Sequence, residues 1–147
     1  MTRLSLKNAL VSYEQLAETP SRRDGMSQQK ENLIRRYACQ LIQSAGILLK
    51  SPQVVMATAQ VLVNRFYYVS SIYQSDLRAI VLGAFLLASK AEEHPQRISS
   101  IITVFDALIK MHRGLTTNVL ERHESEYEVM KNEMVEGELQ IMKKYLK

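Results

Sequence analysis

The sequence predicts an all-α fold, and three observations carry that reading. Apolar residues recur at spacings of three and four through most of the chain. Glycine and proline punctuate the chain between these helical patterns. No alternating apolar and polar run bounded by turn residues appears, so no sheet is expected. Five helices are predicted in one unit, with the third enclosed by the others and an N-terminal extension ahead of them.

Residues 1–8 hold no clear period, and 9–18 read as a short helix. Thr19-Pro20-Ser21-Arg22-Arg23-Asp24-Gly25 reads as a turn or linker by composition. Residues 1–26 are therefore taken as an extension and linker, and 27–147 as the helical domain. Ser27 is placed to cap the first domain helix, whose Leu33, Ile34, Tyr37, Ala38, Leu41, Ile42 and Ala45 share a face. Gly46 is expected to end it in the left-handed conformation, and Ile47, Leu48 and Leu49 to anchor a connector in the core. Ser51-Pro52 reads as an N-cap followed by proline at the first helical position, opening a helix over 52–69.

Residues 70–75 form a short break, with Ser75 as the candidate cap of a helix over 76–93. Leu77, Ile80, Val81, Ala84, Phe85, Leu87 and Ala88 make that helix apolar almost all round, so it is expected to be the buried centre. Pro95 ends it. A fourth helix spans 98–112, turning Ile101, Ile102, Phe105, Leu108 and Ile109 inward, and Gly114 stops it. Residues 115–123 read as a loop. The last helix, 124–147, begins acidic and ends with Lys143, Lys144 and Lys147, an order that suits the helix dipole.

Composition narrows the function classes. The chain has 147 residues, 46% apolar and 23% charged, which is globular and enough for one core. A single cysteine excludes an internal disulfide and fits a reducing compartment. Residues 1–13 lack the apolar stretch of a signal peptide, and no apolar run reaches the roughly 18 residues of a membrane span. The net charge of +4 is spread along the chain without a Lys/Arg-rich block, so no direct nucleic-acid binding is expected.

The most informative stretch is 86–93, LLASKAEE. A helix built for burial suddenly carries Lys90, Glu92 and Glu93 at its end. A buried ammonium needs a partner. That partner lies either elsewhere in this chain or on another protein, and the residues alone leave both open.

Longer matches accompany that stretch. They are Gln15-Leu16, Thr19-Pro20-Ser21 and Asp24-Gly25, then CQLIQSAGILL over 39–49 and PQVVMAT over 52–58. Asn64-Arg65-Phe66-Tyr67-Tyr68, Ile102-Thr103-Val104-Phe105 and Gly137-Glu138-Leu139-Gln140-Ile141-Met142-Lys143 follow. On these residues the chain resembles a cyclin, and in particular the first cyclin box of cyclin L, over nearly its whole length. The resemblance implies a five-helix box and a nuclear regulatory subunit that binds and activates a cyclin-dependent kinase in transcription and pre-mRNA splicing. It implies that Lys90 and Glu138, with Glu93 of the same LASK-x-EE signature, contact the kinase. Lys donates and Glu accepts, so together they grip the amides and carbonyls of a partner backbone. So held, the kinase's regulatory helix swings in and completes its own Lys–Glu pair. It further implies a second box and an Arg/Ser-rich tail, neither of which lies within these residues. Ser51, Ala59 and Asn64 depart from the cyclin L pattern.

Plainer readings stand beside these. Lys90 and Glu138 can pair with each other. Arg22, Arg23, Arg35 and Arg36 read as solvated positions, Cys39 as a small packed residue, and Tyr67-Tyr68 as core and rim. Thr19-Pro20 is a minimal proline-directed phosphorylation site that reads more simply as a turn. His94, His112 and His123 show no metal-ligand spacing, and no cofactor or metal is expected. No Gly-rich phosphate loop, H-E-x-x-H or G-x-S-x-G occurs, so no catalytic residues are assigned and an enzyme is not expected. Two other uses of the fold remain: a DNA-touching transcription factor, and a kinase-independent scaffold in a transcription or RNA-processing complex.

Overall fold

The computed structural model describes residues 12–114 and 125–145. Within them the chain forms α1 (Tyr13–Ala17), α2 (Pro20–Arg23), α3 (Gln28–Leu48), α4 (Gln53–Val69), α5 (Leu77–Ala91), α6 (Ile98–His112) and α7 (Ser125–Tyr145), with no strand. The five long helices are those the periodicity predicts. The centre is also as predicted: ten of the fifteen residues of α5 are buried. Helices α3, α4, α6 and α7 all pack against it. Phe85 on α5 meets Phe105 on α6 edge to face, with ring centroids 5.5 Å apart.

The lead-in holds more structure than its composition suggests. Ser12 caps α1 in a capping box with Gln15. Thr19 caps α2 and Pro20 takes its first position, so the cap-then-proline signature acts here. At Ser51-Pro52, the one place where the sequence predicts that signature, it does not. Pro52 itself is the N-cap, without a side-chain cap, and Ser51 is buried with its hydroxyl 3.4 Å from Gln96 Nε2. Ser27 caps α3 as expected, its hydroxyl accepting the Lys30 amide at 3.1 Å. Asp76, not Ser75, caps α5, accepting the Arg78 amide at 3.2 Å. The carbonyl of Ser75 is taken by the Tyr67 hydroxyl instead, at 3.0 Å.

Gly46 does not end α3. The helix runs two residues further, and the left-handed residue is Lys50, with φ 55°. The Ser51 amide bonds back to the Gly46 carbonyl and the Lys50 amide to that of Ile47, which is a Schellman closure. Gly46 is there for space: a Cβ on it would fall 2.2 Å from Met56 Cγ. Ile47 and Leu48 point outward, 62% and 60% exposed, and only Leu49 of the connector touches the core. Helix α5 closes in the same way, with Glu93 left-handed at φ 58° and the His94 amide on the Ser89 carbonyl. Helix α6 has the predicted bounds, and Gly114 follows it at φ 71°. The loop read over 115–123 lies outside the described residues.

A non-glycine residue in the left-handed region costs about 1–2 kcal/mol, part of which glycine gives back as lost chain freedom. Lys50→Gly is therefore expected to stabilise the protein by about 0.5–1 kcal/mol, read as a small rise in thermal midpoint. A Lys50→Ala variant, left-handed and β-bearing, should show no such rise.

Two buried phenols make the fold sensitive to alkali. The Tyr67 hydroxyl is bonded to Ser75, and the Tyr145 hydroxyl donates to the Leu62 carbonyl at 3.1 Å. Burial raises both above the ordinary 10.0, and pushes Tyr145 up to about 12. The folded state thus favours the protonated phenols more than the unfolded chain does. The contribution of Tyr145 is whole below pH 10 and is lost as pH climbs from 10 through 12, and that of Tyr67, raised further, persists to higher pH. Stability followed by circular dichroism should fall across this window, and Tyr145→Phe should flatten the fall.

Candidate partner-binding site

Two glycines decide how α5 meets α7. A Cβ on Gly137 would stand 1.9 Å from the Ala79 carbonyl oxygen, and one on Gly83 would stand 2.3 Å from the Glu138 amide nitrogen. The two backbones therefore touch where the helices cross. Arg78 locks that crossing from one side. Its Nε and Nη2 each lie 2.7 Å from the two oxygens of Glu133, and its Nη1 lies 3.1 Å from Glu126. This fork-on-fork geometry is the strong form of the ion pair. Both carboxylates hold the guanidinium further above its ordinary range.

On the other side of the crossing sit the residues the sequence singles out. Lys90 Nζ lies 3.0 and 3.2 Å from the two oxygens of Glu138, so the structure brings α5 and α7 together at this pair. The chain itself thus supplies a partner for Lys90. It does not bury the pair: the Lys90 side chain is 54% exposed and that of Glu138 is 15% exposed. An ammonium with three donors, engaged by one carboxylate and facing solvent, keeps capacity for another acceptor.

The two acids that follow Lys90 diverge. Glu92 Oε1 accepts the Thr58 hydroxyl at 2.8 Å, tying the end of α5 to α4. Glu93 is exposed, and the left-handed turn carries it away from the helix. Val135 and Leu139, one turn apart on α7 beside Glu138, are about half exposed at 45% and 51%. The face around the pair thus combines a cation, an acid and an apolar edge, while the Glu93 side chain makes no hydrogen bond or ion pair with Lys90 or Glu138. That mix suits the backbone and apolar side chains of a second protein.

Several residues have other roles than the sequence suggested. Arg35 is not a solvated position: it donates to the carbonyls of Asn64 and Tyr67, each at 3.0 Å, and stacks over Tyr68 at 4.2 Å. Arg22 is turned inward too, donating to the Leu16 and Ala17 carbonyls at 3.1 and 2.9 Å. Two acids of the run on α7, Glu126 and Glu133, are engaged by Arg78. Cys39 is partly buried, with the Asn64 amide 3.6 Å from its sulfur. Among the described residues no cluster of His, Cys, Asp and Glu fits a metal, and no helix is long and apolar enough to cross a membrane. His123 lies outside the described residues. Sequence reasoning missed Arg78 and both crossing glycines. Gly83 did carry a signal, being a lone glycine inside an apolar helical pattern.

Comparison with known proteins agrees with this architecture. The family described as "Cyclin, N-terminal domain" matches residues 8–145. The chain is 38% identical to Cyclin-L1-1 of Arabidopsis thaliana over 139 residues, which covers 95% of the chain and 33% of that protein. It is 38% identical to human Cyclin-L1 over 140 residues, covering 95% of the chain and 26% of that protein. Cyclin-L1 of Xenopus laevis is 40% identical over 140 residues, or 28% of its length. The chain thus spans about a quarter to a third of the length of these relatives. An all-α box around a buried central helix, the LASK-x-EE end of that helix and a family match over residues 8–145 together place the chain in the cyclin family, matched through its N-terminal cyclin domain.

Proposed function

We propose that this cyclin binds and activates a cyclin-dependent kinase through the face formed by Lys90, Glu138 and Glu93, and that the complex acts in the nucleus, in transcription and pre-mRNA splicing. A regulatory role belongs to the family; the kinase, the process and the compartment are what we propose for this chain. The observation that carries it is the Lys90–Glu138 pair at the α5–α7 crossing, whose ammonium is more than half exposed. The helices could have met through apolar contacts alone. Instead they hold a charged pair at the surface in a geometry that two glycines and Arg78 fix.

Glu93 supports the same reading. At the equivalent position of a Schellman closure glycine is the low-strain residue, yet a glutamate is held left-handed there, one turn from Lys90. Strain tolerated at a solvent-facing acid fits a contact outside the chain. The cyclin L names of the relatives, joined to the sequence motifs, direct the reading toward transcription and splicing.

The test is capture from nuclear extract on the immobilised 147-residue chain, with identification of bound proteins and a kinase assay on the eluate. A cyclin-dependent kinase with activity above the uncomplexed enzyme is expected. Capture of splicing or transcription proteins without any kinase would overturn kinase activation and favour the scaffold reading.

A further inference from the structure

Away from the α5–α7 face, a buried polar network joins the lead-in to α3. Thr19 is fully buried, and its hydroxyl donates to Oε2 of Glu31, itself only 1% exposed. The same hydroxyl oxygen accepts the Arg22 amide at 3.3 Å. Arg22 Nη2 and Arg35 Nε each lie 3.5 Å from Glu31 Oε1. The Nε of both arginines is buried without a hydrogen-bond partner among the described residues. Nearby, buried Ser21 accepts the Ile72 amide at 2.9 Å.

Among the described residues, the rest of the hold on this segment is the packing of α2 against α3 and α4. Helix α1 buries no residue, and across residues 12–26 Met26 is the one large apolar side chain that is buried. A segment fastened by a few polar bonds, some of them incomplete, opens as a local unit well below the free energy of global unfolding. When it opens, it presents Thr19-Pro20-Ser21-Arg22: a hydroxyl, then proline, then a basic residue in the third place. Proline-directed protein kinases take that pattern, because their pocket favours a residue without an amide hydrogen after the acceptor and a cation beyond it. The only other Ser/Thr-Pro step is Ser51-Pro52, which has Val54 in the third place.

We propose that Thr19 is a phosphorylation site for a proline-directed protein kinase, and that the phosphate then holds residues 12–26 away from the body of the box. In the transfer, Thr19 Oγ1 attacks the γ-phosphorus of Mg-ATP. An Oγ1–P bond forms, the bond to the bridging β,γ-oxygen breaks and ADP leaves. The hydroxyl proton passes to the kinase's base. The phosphorylated segment does not fit back. The Thr19 side chain is closed off from solvent and its hydroxyl already faces the Glu31 carboxylate, so a near-dianion there meets like charge without water to screen it. The hydroxyl that donated to Glu31 no longer has its proton. The lead-in thus works as a latch whose key is one hydroxyl.

The experiment treats the 147-residue chain with a purified proline-directed kinase and Mg-ATP, locates the phosphate by tandem mass spectrometry, and follows tryptic cleavage after Arg22 and Arg23. Incorporation at Thr19 is expected, with at least a tenfold faster cleavage at those arginines and unchanged helical content. Thr19→Ala should remove the site. Glu31→Gln and Met26→Ala lie outside the recognition pattern and loosen the latch, so each should speed incorporation several-fold. Two variants are used because Glu31→Gln alone could disturb folding. No incorporation at Thr19 in the wild-type chain overturns the proposal. So does a phosphorylated chain that resists trypsin as before, or a rate that neither loosened variant raises.

Discussion

Gly137→Ala is expected to lower the thermal midpoint by about 10 °C, from a destabilisation of about 3 kcal/mol or more. In a free helix the same change would help, since alanine is favoured over glycine by about 1 kcal/mol. Here the added carbon would stand 1.9 Å from the Ala79 carbonyl oxygen and 2.6 Å from its carbon. Those are backbone atoms inside a hydrogen-bonded helix, so they cannot swing aside. The helices must part, and parting pulls at the 2.7 Å bonds of Arg78 to Glu133 on one side and at Lys90–Glu138 on the other.

Gly46→Ala is the control. Its Cβ would also overlap badly, 2.2 Å from Met56 Cγ, but the neighbour is a flexible side chain. Displacing the buried Met56 costs about 1–3 kcal/mol and the gain in helix propensity returns about 1 kcal/mol, so this variant should melt below wild type but clearly above Gly137→Ala. Equal melting of the two variants would mean that the α5–α7 contact is not a backbone contact, and the geometry of the site would lose its foundation.

These glycines also show what the sequence could and could not disclose. Helix periodicity located α3 to α7 because burial on one face is a local, repeating property. Core residues such as Ile101, Ile102 and Phe105 followed from the same period, and all three are fully buried. Glycine reads locally as a place where a chain turns, and that holds at Gly25 and Gly114, both of positive φ. It fails at Gly46, Gly83 and Gly137, where glycine makes room for something distant in sequence. Arg78 was silent for the same reason, since its carboxylates lie 48 and 55 residues away. Thr19-Pro20 and Ser51-Pro52 present the same cap signature, but only Thr19 caps. Burial directs Ser51 toward Gln96, a tertiary choice that no local pattern encodes. Lys90 was legible because a charge at the end of an apolar helix is locally incongruous; its partner Glu138 came only through the family motif.

At that pair, stability and partner binding are expected to separate. An ion pair with one partner more than half exposed contributes about 0–1 kcal/mol to folding, so Lys90→Ala should melt within a few degrees of the wild-type chain. Removing one member of a hydrogen-bonded charge pair from an interface costs about 2–5 kcal/mol of binding, which is a loss of roughly thirtyfold or more in kinase affinity. Glu138→Ala should behave similarly in binding and somewhat worse in stability, because it leaves the ammonium on the helix end without its acceptor. Glu93→Gly sharpens the contrast. It relieves a left-handed residue and so should raise the thermal midpoint slightly, while removing an acid from the proposed kinase contact and lowering affinity. A structural role for these residues predicts the reverse coupling, with affinity tracking stability in each variant. If Lys90→Ala and Glu138→Ala both unfold the box, the charged pair serves the fold and not a partner; if Glu93→Gly binds the kinase as the wild type does while melting higher, Glu93 is no part of the contact.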